Sequence, residues 1–527
     1  MQLLYLFISI SIITISSYTN TNRNFKLSSS LLLLSSNHRM KDSDVYDLVV
    51  EYLTSKGIYY YYYTTINAIL LLFTIKGFSE TAQVLKNEAQ TKKDNISKSQ
   101  LEDLLQYTQL KSPNGTEVLP LPPFNEGDDF SKLKLETQLI AYNFSDNDPY
   151  GASVMPLYQT ATFKQPGATD FGAYDYTRSG NPTRDALQKQ IAQLEGVPGT
   201  TAYCFTTGMA ALSAVIRLVC AGEEVIVNDD SYGGTYRLMS KVATRQGIKV
   251  RYVNMAGKSG STNLQQAISP LTKLVMIESP TNPMQRICDV REIAKVCQAN
   301  NHPTGTLLSI DNTMMSPILS RPLEIGADIV IHSATKFMCG HSDTMAGAVI
   351  VRDMKEGDKS LAESLYFFQN AEGTGLAPFD CWLVARGIKT MALRVERQQI
   401  NALRIAKWLQ TLPCISKVLY AGLPDHPDYD IHMSQASGGG SVVCFVTGNV
   451  ELSRHIVTTT KLFKITVSFG SVTSLISLPG LMSHASIPAD VKSAREFPED
   501  LVRMSIGIES PEDLIADLYR AIQTFGK

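Results

Sequence analysis

The chain has 527 residues, 44% of them hydrophobic, and a net charge of −2 from 48 basic and 50 acidic side chains. That length allows several domains, and the near-neutral balance lacks the polybasic signature of a nucleic-acid partner. The eight cysteines all follow residue 203 and form no Cys-x-x-Cys pair, which argues against a disulfide framework or a metal site and suits a reducing compartment.

Residues 1–39 read as an unstructured leader. Met1 to Ser17 is apolar with no basic residue in front, unlike a secretory signal. Residues 1–41 lack Asp and Glu, are serine-rich, and carry Arg23, Lys26, Arg39 and Lys41, a composition compatible with an organellar transit peptide. The expected compartment is the cytoplasm, with plastid or mitochondrion as the alternative. Within residues 40–110, Asp44–Gly57 (DVYDLVVEYLTSKG) and Gly77–Gln90 (GFSETAQVLKNEAQ) resemble the two halves of a LisH dimerisation motif. Between them, Ile58 to Ile75 is uncharged, eighteen residues long, and includes five consecutive tyrosines. It just meets a membrane-span length, but its place inside a split helix pair argues for a translated intron, and no membrane partner is expected. Deleting 58–77 restores one amphipathic helical hairpin. Residues 111–132, with Pro120, Pro122, Pro123 and an acidic cluster at Glu126–Asp129, read as a linker.

From residue 133 the pattern becomes α/β. Thr201–Phe205 reads as a strand, and Thr206-Thr207-Gly208-Met209 turns into a helix beginning near Ala210. A glycine at a helix start lets N–H groups approach an anion such as phosphate, or it marks an ordinary strand–helix turn. In Asp230-Ser231-Tyr232-Gly233-Gly234 an aromatic ring precedes a tight turn, placed to stack on a flat ligand or simply half-buried. Leu307–Asp311 is a buried-strand pattern ending in a carboxylate. Asp311 either caps the next turn or pairs with a pyridine nitrogen and keeps it protonated. The run Ile329-Val330-Ile331 delivers Ser333, Thr335 and Lys336 to the carboxyl end of another strand, where ligands bind in open α/β sheets. Two hydroxyls and an amine there can hold a phosphate and bond an aldehyde, which is what pyridoxal phosphate requires of its lysine. Gly438-Gly439-Gly440 precedes a strand at Ser441–Val446 and reads as a flexible turn, and His332 and His341, which flank the lysine segment, read as packing residues.

Seven ordered segments carry a resemblance: Tyr174–Leu187 (YDYTRSGNPTRDAL), Phe205–Val215, Glu278–Pro283 (ESPTNP), Asp311–Phe337, Gly340–Val349, Ala377–Arg394 and Glu499–Glu509. With them the chain resembles the Cys/Met-metabolism family of pyridoxal-phosphate enzymes. That resemblance implies fold type I, the aspartate-aminotransferase-like α/β fold, with an N-terminal arm (133–203), a large mostly parallel-sheet cofactor domain (204–387) and a smaller C-terminal α/β domain (388–527). It implies Lys336 as the Schiff-base lysine and acid/base, Asp311 on the pyridine nitrogen, Tyr232 stacked on the ring, and Asn282 near the phenolic oxygen. Gly208, Met209, Ser333 and Thr335 would hold the phosphate, joined by Tyr176 and Arg178 of a neighbouring subunit. The resemblance also implies a homotetramer built from two such dimers. Arg503 would clamp the substrate carboxylate, with Ser468 and Tyr232 nearby.

The resemblance implies that the β-lyase, γ-lyase and γ-synthase reactions share most of these residues, so the family match does not choose among them. The γ-lyase relatives typically carry an acidic residue where this chain has Val467, before Ser468-Phe469-Gly470. The wording of 467–488 and 423–434 resembles the plant-type β-lyases. The expected reaction is therefore β-elimination of L-cystathionine to homocysteine, pyruvate and ammonia. The alternatives are the γ-lyase, γ-synthase and methionine γ-lyase reactions, or, in another class, a LisH-bearing interaction protein with a silent lyase domain. The intron reading is checked by sequencing the mature transcript: the spliced message should lack codons 58–77, and a message that keeps the tyrosine run overturns it.

Overall fold

The computed structural model describes residues 133–142 and 150–526, apart from 353–354, 357–358 and scattered positions between 486 and 496. The leader, the LisH-like halves, the stretch 58–75 and the linker lie outside the described residues. Asn181 opens helix α1 (Pro182–Leu194): its side chain accepts from Thr183 N–H, and Pro182 presets the first turn. Strand β1 (Thr200–Phe205) leads into α2 (Gly208–Ile216), then β2 (Glu224–Asn228), α3 (Gly233–Lys241), β3 (Lys249–Val253), α4 (Gly260–Ala267) and β4 (Thr272–Glu278). Helix α5 (Val290–Ala299), β5 (Leu307–Asp311), β6 (Ile329–His332), β7 (Gly347–Arg352), α6 (Leu361–Glu372) and α7 (Pro378–Ile388) complete this half.

These strands form a seven-stranded sheet in the order β1-β7-β6-β5-β4-β2-β3. β3, β2, β4, β5 and β6 run parallel, while β7 is antiparallel to both its neighbours. Every residue of β2, β4 and β6 is buried, because parallel strands are covered on both faces by their crossover helices. Alternation along the strands sorts the two faces. Ile226, Val275, Ile277, Leu308, Ile310 and Val330 pack with α1, α5 and α7. Val225, Val227, Leu274, Met276, Ile329 and Ile331 pack with α2, α3 and α6.

A long helix, α8 (Met391–Gln410), leads to a second sheet. Its elements are β8 (Lys417–Leu419), β9 (Val442–Val446), α9 (Val450–Thr459), β10 (Lys464–Ile465), β11 (Leu475–Ser477), β12 (Val502–Ser505) and α10 (Pro511–Gln523). The strand order is β8-β9-β12-β11-β10. One face packs Val443, Phe445, Ile476, Val502 and Met504 against Ile405, Ile456 and Leu514 of the three helices. The other sends Val442 and Cys444 into the core shared with the large sheet.

Three details depart from the sequence reading. β1 begins at Thr200 and so crosses the boundary expected at 203/204, because its residues pair with β7 along their whole length. Gly438–Gly440 is buried rather than a flexible surface turn: a Cβ at Gly439 would lie 2.5 Å from Gly422 backbone, so two main-chain segments touch there. His332 does more than pack, since its Nε2 lies 2.9 Å from Glu195 Oε1 with both side chains buried, whereas His341 is exposed. The eight cysteines are free thiols. Among the described residues no helix is long and apolar enough to cross a membrane.

Leu308 is fully buried in the central strand β5. Leu308→Ala should lower unfolding free energy by about 2–5 kcal/mol, read by chemical denaturation; a loss below 1 kcal/mol would contradict the packing described.

Candidate active site

The parallel register sets three strand ends level. Glu278 of β4 lies beside Asp311 of β5, and Asp311 beside Ile331 of β6. The chain leaving β6 then presents Ser333 and, one turn on, Lys336. Thr313 ties two of these ends together. Its hydroxyl donates to Asp311 Oδ1 at 2.5 Å, its N–H donates to the same oxygen at 3.0 Å, and its Oγ1 accepts from Ser333 N–H at 2.8 Å.

Helix α2 starts against Ser333. A Cβ at Gly208 would meet the Ser333 Cβ at 2.9 Å, so only glycine allows this approach. Thr207 caps the helix by accepting from Ala210 N–H at 2.9 Å. The N–H groups of Gly208 and Met209, at the first helical positions, have no partner inside the helix, and the dipole there favours an anion. Tyr232 stands at the start of α3, its N–H donating to Glu278 Oε1 at 2.7 Å. A Cβ at Gly234 would be 2.4 Å from the Tyr232 ring and 2.9 Å from Met209 Sδ, which places the ring next to the start of α2. Thr335 is held in both directions by Ala346: its Oγ1 donates to the carbonyl at 3.2 Å and accepts from the N–H at 2.8 Å.

The C-terminal domain supplies the other wall. Lys336 Nζ donates to Ser468 Oγ at 2.6 Å and lies 5.2 Å from the centre of the Phe469 ring. Gly470 passes so close that a Cβ would be 2.9 Å from Lys336 Cβ. Arg503, 1% exposed on β12, donates through Nη1 to Asn282 Oδ1 at 2.8 Å and through Nη2 to the carbonyls of Val467 and Ser468 at 2.9 and 3.2 Å. Its guanidinium also sits over the Phe469 ring, 5.6 Å from the centroid, so one aromatic ring serves two cations.

Burial governs the charges. It lowers the Lys336 pKa to about 8, helped by the charge of Arg503, and lowers that of Arg503. Burial raises the Asp311 carboxyl, with Thr313 opposing. Glu278 is pushed well above the usual carboxylate range by burial and then by the charge of Asp311. A cationic ring nitrogen beside Asp311 would offset the cost of keeping that carboxylate charged. An aldehyde at Lys336 needs an amine that loses its proton near neutrality, and a phosphate suits the start of α2. The residues present therefore fit pyridoxal phosphate.

Of the residues singled out from sequence, Gly208, Met209, Tyr232, Asn282, Asp311, Ser333, Lys336, Ser468 and Arg503 come together around this one site, with Thr335 beside them. Tyr176 and Arg178 face outward. Both are exposed, with Arg178 5.3 Å from the Tyr176 ring centre and its Nε donating to Asn370 Oδ1 at 3.3 Å. The sequence reading missed Glu278, Thr313 and the double use of Phe469. The spacing Asp311-x-Thr313 offered a local signal for Thr313; the other two arise only from packing across elements.

A lysine with its pKa near 8 is protonated below that pH and nucleophilic above it. In the cofactor-free protein, labelling of Lys336 by an amine-directed acylating reagent, followed by peptide mapping, should reach half its maximal rate near pH 8. Arg503→Met, which removes the repelling charge, should move that midpoint upward. A wild-type midpoint at the ordinary lysine value of about 10.4 would overturn the electrostatic account.

Comparison with known proteins agrees with the geometry. The family model described as Cys/Met metabolism PLP-dependent enzyme matches residues 136–523. The chain is 58% identical over 381 residues to the chloroplastic cystathionine β-lyase of Arabidopsis thaliana, covering 72% of this chain and 78% of that one. It is 40% identical to the cystathionine γ-lyase of Bacillus subtilis, covering 74% of this chain and all of that one. Among solved structures, cystathionine γ-lyase from Lactobacillus plantarum complexed with L-serine aligns with a TM-score of 0.70 at 37% identity, over 74% of this chain and 99% of that one. Cofactor site, fold and sequence agree: the chain belongs to the Cys/Met-metabolism family of PLP-dependent enzymes.

Proposed function

We propose that this enzyme is a carbon–sulfur lyase that cleaves L-cystathionine by β-elimination, giving homocysteine, pyruvate and ammonia. The observation that carries the reading is the Lys336 amine, brought near neutrality by burial and held 2.6 Å from Ser468 Oγ beside the buried Arg503. Pyridoxal phosphate, when bound, would supply an electron sink for the pair left when Cα loses its proton.

The remaining work falls to the chain's own groups. Arg503 holds the substrate carboxylate with the donors left free by Asn282, Val467 and Ser468. That places Cα within reach of Lys336, whose neutral Nζ takes the proton. The new ammonium returns it to the departing sulfur, so the Cβ–S bond breaks with its electrons on sulfur and homocysteine leaves neutral. The three-carbon enamine then hydrolyses to pyruvate and ammonia. When the cofactor is bound, Asp311 would stay anionic opposite its ring nitrogen, Tyr232 would cover the ring, and Gly208, Met209 and Ser333 would hold the phosphate, joined by Thr335 once its hydroxyl turns from the Ala346 carbonyl.

Two features favour β- over γ-elimination. Val467 is apolar and 55% exposed beside the clamp, its carbonyl accepting from Arg503, where the γ-lyase relatives typically carry an acid. Identity is also higher to the relative named a β-lyase than to the one named a γ-lyase. The outward set of Tyr176 and Arg178 supports completion of each site by a neighbouring subunit, within a homotetramer. For the compartment we adopt the plastid alternative in place of the cytoplasm, because the Arabidopsis thaliana relative is named chloroplastic. The intact charged constellation leaves no support for a silent scaffold.

The test is product identification from purified protein given L-cystathionine and pyridoxal phosphate. Pyruvate with homocysteine is expected, and Lys336→Ala should slow the reaction by at least about 10²–10⁴-fold. 2-Oxobutyrate with cysteine would overturn the β-reading, and no keto acid from cofactor-loaded protein would overturn the lyase assignment.

A further inference from the structure

We infer that His484 is a positioning residue that aligns two arms of the site at once, the ring of Tyr232 and the Asn282–Arg503 clamp. The inference rests on the roles proposed above for those three residues. His484 is 1% exposed and lies just beyond β11, on the C-terminal side of the molecule. Its Nε2 is 3.0 Å from the main-chain oxygen of Asn282. A carbonyl oxygen only accepts, so Nε2 carries a proton and donates. Nδ1 lies 2.8 Å from Ser483 Oγ, and in the neutral ring it accepts from that hydroxyl. With both nitrogens engaged the imidazole is held against rotation.

That fixed ring faces Tyr232. The two centroids are 6.2 Å apart and the planes meet at 83°, an edge-to-face contact that favours one ring orientation. Phe497 backs the imidazole at 5.8 Å. The main chain reinforces the contact, because a Cβ at Gly233 would lie 2.6 Å from the Ser483 carbonyl oxygen, so the turn after Tyr232 is seated directly on the His484 segment. On the other arm, Asn282 accepts from His484 with its main chain and from Arg503 Nη1 with its side chain, at 2.8 Å. One imidazole thus joins the start of α3, the β4–α5 connection and β12.

The arms are chemically separable. The ring edge serves Tyr232, and the Nε2 proton serves Asn282. His484→Phe keeps an aromatic edge and removes the donor. His484→Gln keeps an amide donor at similar reach and removes the ring. Two quantities are measured on each purified variant: the dissociation constant of pyridoxal phosphate, by absorbance titration of cofactor-free protein, and the steady-state constants with L-cystathionine. His484→Phe should raise KM about tenfold, the worth of one buried hydrogen bond, while cofactor binding stays within about twofold. His484→Gln should weaken cofactor binding about three- to tenfold, the worth of an aromatic pair, with KM nearly unchanged.

Parallel losses in both variants, or no change in either, would overturn the proposal, since a merely structural residue cannot split the two readouts. Where a His484 variant fails to fold, Ser483→Ala removes only the Nδ1 partner. It should weaken cofactor binding about two- to threefold, and unchanged binding would overturn the proposal equally. Wild-type protein run alongside separates the two levels of failure: if it binds cofactor yet releases no keto acid, the lyase reading falls instead.

Discussion

The level ending of three neighbouring parallel strands is the constraint on which the rest of the molecule depends. β4, β5 and β6 are buried on both faces, so their register is set by interdigitating Val, Ile and Leu side chains. A slip of one residue would turn Asp311 into the other core and carry Ser333 and Lys336 away from the start of α2. Glu278, Asp311 and the chain leaving β6 meet at one edge because the apolar alternation beneath them allows no other pairing.

At that edge the fold collects charges and removes water from them. Each ionisable group is moved toward neutrality by burial: Lys336 and Arg503 downward, Asp311 and Glu278 upward. Buried charge is costly unless paired, and the pattern here is half of a pairing. A cationic nitrogen, an aldehyde, a phosphate and a carboxylate are the complements that the four regions of the site call for. The Phe469 ring favours both the Lys336 and the Arg503 cations, and Ser468 gives the lysine an acceptor it can leave when it moves a proton. The two domains are therefore coupled through chemistry as well as through packing.

Much of this was legible before any coordinates. β5 spans Leu307–Asp311 as its apolar run predicts, β6 delivers Ser333 and Lys336 as expected, and the helix after Thr207 starts within two residues of its predicted position. These succeeded because each is local: a β-branched run, a terminal carboxylate, a hydroxyl cap. The misreadings have the opposite character. Within the Gly438–Gly440 run, Gly439 lies against the backbone of Gly422 and Gly440 holds a φ of +77°, and His332 is partnered by Glu195, 137 residues away. Neither contact is signalled by the residues adjacent in sequence.

The amino-acid sequence by itself determined the elements, their apolar faces, and the identity of the groups that can do chemistry, since propensity, periodicity and side-chain type are properties of short segments. Ordered segments from Tyr174 to Glu509 also determined the family. Tertiary structure alone decided which of those groups share an environment. The lowered pKa of Lys336, the rise of Asp311, the shared ring of Phe469 and the bridge through His484 all depend on distances between residues far apart in the chain. Desolvation and Coulomb energies fall off over a few ångströms, so they come into being only when folding brings the two domains together.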